Sequence, residues 1–238
     1  GSNITVTDPT GPVPTVALST NVDVAGTLDV TSLGTFDASV TVAGKISLKD
    51  AGDSIFVGYE AGLNDDASAN LNVGVGYQAL RANTTGANNT AHGYRALYSN
   101  TTSAENTAVG YGAMYSNTTG ASNTATGIYA LYFNTTGANN TALGYASLYL
   151  NTTGANNVAV GRDALLHSTV GSQTAVGYQA LRANTTGTNN TAHGNQALYS
   201  NTTGANNLAV GRQALYYNTT GPNNSAVGYQ ALHNNTTG

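Results

Sequence analysis

A glycine that returns every seventeen residues is the feature of this sequence that most restricts its fold. The spacing is constant from Gly76 to Gly161, and after a one-residue deletion it continues from Gly177 to Gly228. Gly58 begins the series, so the chain holds eleven units with the consensus N-T-A-x-G-Y-x-A-L-Y-x-N-T-T-G-A-N. Short repeats stack on their neighbours and bury a shared core. The architecture is therefore that of one repeat, stacked along an axis.

The residue types within each unit favour extended structure. Seventeen residues leave little room for a helix of about 11 residues beside the Gly, Asn and Thr stretch, and charged residues make up only 8 % of the chain. We predict an extended N-T-A-V-G-Y, a corner, a second extended piece L-Y-x-N-T-T, and a G-A-N turn. The predicted fold class is all-β: a β-solenoid (parallel β-roll) of eleven coils of about 17 residues, spanning residues 54–238.

Two uniform apolar positions predict the interior of the coil. Ala stands two residues before the repeat Gly in nine of eleven units, and Leu or Met stands four residues after it in ten. The positions one and three before the Gly lie on the opposite strand face and are mixed, as Val75 and His92 illustrate. Because this outer face is partly apolar and the coil is narrow, we predict that another protein surface covers the face. The simplest cover is two more copies of the chain around a threefold axis, which makes a homotrimer.

The repeat also resembles known fibre proteins. The strands N-N-V-A-V-G (Asn156–Gly161) and N-N-L-A-V-G (Asn206–Gly211) resemble the S-V-A-I-G signature of YadA-type trimeric autotransporter adhesin heads. The longer form with G-Y-Q-A-L and N-T-T-G (Gly76–Gly86) is similar to repeats of phage tail fibres and bacterial fibre proteins. The resemblance implies a left-handed parallel β-roll, trimerisation through one strand face, and an extracellular location on a virion tail fibre or a bacterial cell surface.

Residues 1–53 follow a different pattern. Val22-x-Val24-x-Gly26-x-Leu28-x-Val30 recurs eighteen residues later as Val40-x-Val42-x-Gly44-x-Ile46-x-Leu48, an alternation that predicts strands with one buried face. It resembles the strand-rich shaft pieces of phage fibres, so we predict an N-terminal shaft segment that holds three chains in register. The Pro/Thr-rich start leaves a loosely ordered leader as the alternative. Because the chain stops at the end of its last N-T-T-G, we expect a segment of a longer fibre.

Two sets of side chains are candidates for binding. Tyr rings with flat apolar faces and hydroxyls suit sugar rings, although they could equally only shield the coil corners. His92 and His193 occupy equivalent slots, and on a threefold axis each would form a ring of three imidazoles. We interpret them as polar layers that fix register rather than as metal ligands, because no carboxylate is evident to orient the rings. The candidate glycan-binding residues follow the Leu/Met position: Tyr98, Tyr115, Tyr132, Tyr149, Tyr199 and Tyr216.

The sequence gives little support for catalysis, for a metal site or for a cofactor. Asp163, His167 and Ser168 lie close together in the shortened unit, but a nucleophilic triad usually draws its members from separate elements. Asp65-Asp66 offers two carboxylates, whereas Ca²⁺ takes about six to eight oxygens. We therefore predict no enzyme, no metal and no cofactor.

Charge and hydropathy argue against nucleic acid and the membrane interior as partners. Residues 67–238 carry five Arg against two acidic residues, too small a surplus for nucleic acid, and no apolar run approaches the roughly 18 residues of a membrane span. The predicted function is a structural and adhesive segment of a trimeric surface or tail fibre, which presents or forms an attachment surface for host-cell glycans. The alternative is an ice-binding solenoid that uses the repeated Asn-Thr-Thr face.

Overall fold

The chain folds as a β-solenoid in which each repeat contributes one short strand. The computed structural model describes residues 53–66 and 68–238, and no helix occurs among them. Eleven parallel strands form one sheet, and each strand pairs with the next one in the sequence. The predicted all-β solenoid of eleven repeats is thereby confirmed. The predicted N-terminal shaft segment, residues 1–53, lies outside the described residues except for Asp53.

The strands all contain three residues and are numbered in chain order; coil n is the repeat that contains strand βn. They are β1 Ile55–Val57, β2 Val73–Val75, β3 Thr90–His92, β4 Thr107–Val109, β5 Thr124–Thr126, β6 Thr141–Leu143, β7 Val158–Val160, β8 Thr174–Val176, β9 Thr191–His193, β10 Leu208–Val210 and β11 Ser225–Val227.

The register of the sheet places equivalent residues directly above one another. Ala91 pairs with Ala108, and Ala108 pairs with Ala125; all three side chains are fully buried. The repeat Gly follows each strand because no side chain fits there. At Gly110, φ is +134°, and an added Cβ would lie 2.5 Å from the carbonyl oxygen of Gly127 in the next coil.

The second predicted extended piece is wrong: L-Y-x-N-T-T forms turns. Arg95 and Leu97 both take left-handed φ values, 52° and 51°, and such residues interrupt an extended chain. A left-handed Leu costs about 1–2 kcal/mol, whereas full burial of its side chain stabilises by about 1.5–3 kcal/mol, so burial offsets the strain. The turns still bond along the axis, since Leu97 N donates to Ala113 O (3.0 Å).

The predicted interior columns are confirmed, and asparagine side chains share the interior with them. The Leu/Met side chains from Leu80 to Leu215 are fully buried. So is the Asn of N-T-T in each regular coil: Asn100 Nδ2 donates to Asn83 Oδ1 (2.8 Å) in the preceding coil and to Ser103 O (3.0 Å) in its own. This column therefore forms a hydrogen-bonded ladder along the solenoid axis.

A second buried Asn column, before each strand, was not predicted as interior. Asn72 Oδ1 accepts from the backbone N of Asn89 (2.8 Å), and Asn89 Nδ2 donates to Ser103 O (2.8 Å). Each amide thus binds both its neighbouring coil and a loop carbonyl. Buried polar groups are costly unless bonded, so these paired columns both fill the interior and fix the spacing of the coils.

In the coil that lost one residue, a longer side chain, Gln173, makes the hydrogen bonds of the second Asn column. Gln173 stands where other coils have Asn, and its backbone N donates to Asn157 Oδ1 (3.0 Å). The extra methylene lets Gln173 Nε2 reach Gly187 O, while its Oε1 accepts from Asn190 N at 3.3 Å. Ala159 still pairs with Ala175, so the sheet register survives the deletion.

Candidate functional site

The outer sheet face, formed by the first and third residues of the strands, is solvent-accessible and partly apolar. Leu143, Val158 and Leu208 are 38 %, 37 % and 38 % exposed. Their apolar side chains stand beside threonines, and none carries a charge. This face is a regular stripe two side chains wide that runs the length of the described sheet.

His92 and His193 both lie exposed on the outer sheet face, on β3 and β9. The structure does not bring them together within one chain, because five strands separate them. His92 is paired with Val75 on one side and Val109 on the other. The two imidazoles are therefore isolated polar positions in a mainly apolar column.

The N-T-T sequences place only part of their polar groups at the surface. Asn117 is fully buried, and Thr118 Oγ1 donates to Thr135 O (3.0 Å) in the next coil. Thr119 is exposed. The surface that remains in each regular coil is the second Thr and the turn after it.

The six candidate tyrosines form two stacks along the solenoid axis. We call the position five residues after the repeat Gly the tyrosine column. Tyr98, Tyr115, Tyr132 and Tyr149 stack with centroid distances of 5.0, 5.0 and 5.6 Å. In the second stack, Tyr199 and Tyr216 lie 5.1 Å apart. All six rings are half-buried, so neighbouring rings cover most of the faces that a sugar would need.

Three of the four stack ends are capped. Arg81 lies over Tyr98 (5.8 Å to the centroid), Arg182 lies over Tyr199 (5.9 Å), and the His233 ring stacks on Tyr216 at 5.2 Å. These caps cover each outer ring with a guanidinium or an imidazole.

The fourth stack end, at Tyr149, is different. Every ring that contacts Tyr149 belongs to the preceding coil: Tyr129, Tyr132 and Phe133. In the following coil the tyrosine column holds Leu166, which is smaller than a ring and carries no charge. At this end of the stack, the Tyr149 ring therefore borders an open space beside Leu166.

A cleft of about 340 Å³ occupies that space. Ala146 gives it depth, because longer side chains such as Gln179 and Gln196 occupy the equivalent position in later coils. Its lining combines aromatic, aliphatic and titratable side chains: Tyr129, Tyr145, Ala146, Tyr149, Leu150, Asp163, Leu166 and His167.

The titratable groups of the cleft are held in place by their neighbours. Asp163 is 9 % exposed, and its Oδ2 accepts from Gln179 Nε2 (3.3 Å) and faces Arg162 Nε at 3.6 Å. Burial, and after it the Arg182 guanidinium, lowers the pKa of His167 below its ordinary value of 6.5. His167 is therefore mostly neutral at pH 7, with one ring nitrogen as donor and the other as acceptor.

The triad-like cluster is only partly brought together. Asp163 and His167 line the same cleft, but Ser168 is fully buried in the Asn column and its Oγ lies 3.5 Å from Val170 O. The Asp65-Asp66 carboxylates are engaged in their own turn, where Asp66 Oδ1 accepts from Ser68 Oγ (2.7 Å) and Asn70 Nδ2 (3.1 Å). These bonds, with those from Ser68 first, hold the pKa of Asp66 below its ordinary value.

The cleft was not predicted from the sequence, although one signal pointed to it. The tyrosine column is visible as a repeat in the sequence, and Leu166 is the residue that breaks it. Among residues 53–66 and 68–238, no group of three or more His, Asp or Glu side chains is placed to hold a metal ion. In the same part of the chain no helix has the length and apolarity needed to cross a membrane.

Comparison of the chain with protein-family models, with curated proteins and with solved structures gives no match. The resemblance to YadA-like heads and to tail-fibre repeats therefore stays a prediction.

Proposed function

We propose that this chain is a structural segment of an extracellular homotrimeric fibre, on a virion tail or a bacterial surface, that carries an attachment surface for host glycans. The observation that carries the proposal is the outer sheet face: a regular, partly apolar stripe that is solvent-accessible along the described sheet. The role is structural and adhesive rather than catalytic.

Rigidity is supported by the bonding between coils. Eleven strands at the usual spacing give a rod of about 50 Å. In the regular coils the interior amides bond to an adjacent coil, as Asn134 Nδ2 does to Asn117 Oδ1 (2.8 Å) in the preceding one. Bending the rod would lengthen several such bonds at once, so the solenoid transmits force along its axis without a flexible joint.

Trimerisation is supported by the shape and chemistry of the outer sheet face. Large exposed apolar patches on folded proteins usually mark interaction surfaces. The stripe is narrow, and three narrow stripes can converge on one axis that runs parallel to the rods. Cyclic symmetry of that kind keeps all three chains pointing in the same direction, as a fibre requires.

The two exposed histidines fit the same arrangement. On a threefold axis, His92 and His193 each become a layer of three imidazoles between layers of Val. A polar layer in an apolar seam penalises a shifted alignment, because a shift would bury the imidazoles against Val side chains. We propose that these layers fix the register of the three chains.

Native mass measurement tests the proposal. A trimer has three times the 24.1 kDa mass of the chain. Leu143→Lys and Leu208→Lys place charges on the outer sheet face and are expected to reduce the mass to that of one chain. Thr136→Lys, at an exposed Thr outside that face, is the matched control and should leave the trimer intact.

A monomeric mass for the unaltered chain at micromolar concentration contradicts the fibre proposal. So does equal disruption by Leu143→Lys and Thr136→Lys, since the outer sheet face would then have no special part in assembly.

Ice binding is the second candidate, and the exposed Thr column favours it. Thr102, Thr119 and Thr136 repeat at the surface of successive coils, about 4.8 Å apart. The neighbouring Thr hydroxyls already donate to the next coil, so this array is one Thr wide. Thermal hysteresis of a solution of the chain distinguishes the two functions: activity that Thr119→Lys abolishes would support ice binding.

A further inference from the structure

The end of the first tyrosine stack is built differently from the other stack ends. Arg81, Arg182 and His233 cap Tyr98, Tyr199 and Tyr216. Tyr149 receives rings from the preceding coil alone and meets Leu166 in the next. Tyr149 is thus the one member of the predicted glycan-binding set whose stack ends without a cap among the described residues.

The cleft beside Tyr149 has the composition of a ligand site. Its volume of about 340 Å³ falls within the range of about 300–1,000 Å³ typical of ligand clefts, which are mainly apolar with a few placed polar groups. Aromatic walls come from Tyr129, Tyr145 and Tyr149, and the polar groups are Asp163 and His167.

One oxygen of the Asp163 carboxylate, Oδ1, can accept a hydrogen bond from a ligand. Gln179 and Arg162 both approach Oδ2, so Oδ1 remains to accept from a ligand. A hydrogen bond to a carboxylate is charge-assisted and therefore stronger than one between neutral groups. Since Asp163 is almost buried, that bond is shielded from competing water.

The carboxylate of Asp163 lines the cleft, whereas the Arg162 and Arg182 guanidiniums lie outside its lining. Arg162 partly balances Asp163 at 3.6 Å, and His167 is mostly neutral at pH 7 because burial lowers its pKa. An acidic sugar would bring a second negative charge beside Asp163, whereas a neutral sugar meets an acceptor and a neutral imidazole. A pyranose ring offers the matching surfaces, a C–H face for a Tyr ring and hydroxyls for the carboxylate.

We propose that the cleft over coils 5–7 is a binding site for a neutral pyranose saccharide, with the sugar ring on Tyr149 and its hydroxyls on Asp163 and His167. This inference deepens the proposed attachment function and rests on it. Glycan recognition then takes place where Leu166 interrupts the tyrosine column, and the stacked tyrosines of the other coils stabilise the rod.

Leu166→Tyr is the sharpest test, because it leaves the proposed binding residues Tyr149, Asp163 and His167 unchanged. It restores the side chain that other coils carry at this position, so the stack continues over Tyr149 and fills the space. We expect this variant to fold at least as stably as the unaltered chain, by thermal unfolding, and to lose glycan binding. Tyr217→Ala alters an exposed tyrosine that lies outside both the cleft and the tyrosine column, and it is the matched control.

The probe is an array of neutral hexose and N-acetylhexosamine oligosaccharides, with sialylated and sulfated glycans included. Titration calorimetry with the bound neutral glycans then compares the variants. We expect binding of neutral glycans by the unaltered chain and by Tyr217→Ala. Asp163→Asn should weaken binding by about tenfold or more, the effect of losing a charge-assisted bond.

Three results overturn the site: no neutral glycan bound, binding of acidic glycans alone, or unchanged binding by a folded Leu166→Tyr. A trimeric mass without glycan binding rejects this site and the attachment role, and leaves the fibre assembly standing. Glycan binding by a monomeric chain rejects only the fibre assembly.

Discussion

Ser168 leaves the side-chain oxygen of Asn151 without a hydrogen-bond partner. In regular coils the Asn of N-T-T donates to the Asn one coil earlier, but Ser168 occupies that place after Asn151, and the buried Asn151 Oδ1 is unbonded. Asn184, on the other side of Ser168, donates to Gly187 O (2.9 Å) in its own coil. The ladder is therefore broken once, in the coil that also lost a residue.

Restoring the ladder is expected to stabilise the chain. In Ser168→Asn the new amide can donate to Asn151 Oδ1 and accept from Asn184 Nδ2. An unsatisfied buried polar group costs about 1–3 kcal/mol, so we expect the free energy of unfolding to rise by about 1 kcal/mol or more, measured by urea denaturation. Ser168→Ala is the control, and an equal gain from Asn and Ala would contradict the ladder explanation.

The repair at Gln173 predicts the opposite effect. Gln173→Asn restores the common residue type but removes the methylene that reaches Gly187 O and Asn190 N. We expect a loss of about 1–3 kcal/mol from the buried groups left unpaired. The same change at half-buried Gln196, whose side chain bonds the half-exposed side chains of Gln179 and Gln213 (both 3.2 Å), should cost less. Equal midpoints of denaturation for the two variants would show that the longer side chain does not compensate for the deletion.

The repeat Gly is expected to be irreplaceable within the stack and more tolerant at its end. Gly110→Ala and Gly228→Ala both place a side chain at a φ near +130°, which costs about 1–3 kcal/mol. Only at Gly110 does the Cβ meet the next coil, 2.5 Å from Gly127 O; at Gly228 the nearest atom is Ala231 Cβ at 3.9 Å. Thermal unfolding should show a much larger loss at Gly110, and similar losses would rule out the steric explanation.

The ion pair at the start of the solenoid predicts a pH-dependent contribution to stability. Glu60 Oε2 accepts from Arg81 Nε (2.7 Å) and Gln78 Nε2 (2.7 Å), and these bonds, with that of Arg81 first, hold the pKa of Glu60 below its ordinary value of 4.5. A carboxyl whose pKa is lowered by folding stabilises the fold above its unfolded pKa, and that stabilisation is lost as the pH falls through the folded value.

Glu60→Gln should therefore lower the denaturation midpoint at pH 7, and the difference from the unaltered chain should shrink as the pH falls below about 4.5. Glu105→Gln is the control, because Glu105 accepts from Ser122 (2.9 Å) rather than from a guanidinium. A difference at Glu60 that stays constant from pH 7 to acid would contradict the assignment.

The sequence was most informative where each coil repeats the same environment. The Ala column at Ala91 and the Leu column at Leu97 were predicted as interior because stacked equivalents must fill the same space, and both are fully buried. The second extended piece was wrong because nothing in the residue type of Leu97 predicts its left-handed φ: that conformation is unfavourable for Leu. The glycan-binding and trimer predictions remain to be tested.

The amino-acid pattern by itself determined the period, the number of coils, the fold class and the apolar interior, since these follow from repetition and side-chain size. Only the tertiary structure decided that Asn89 and Asn100 point inward, that Gln173 repairs a deletion, and that the stack ends uncapped at Tyr149. The physical reason is that these features depend on what the adjacent coil offers, a carbonyl, a ring or a smaller side chain, at the distance of one hydrogen bond or one stacked ring. That contact exists only after the coils have stacked.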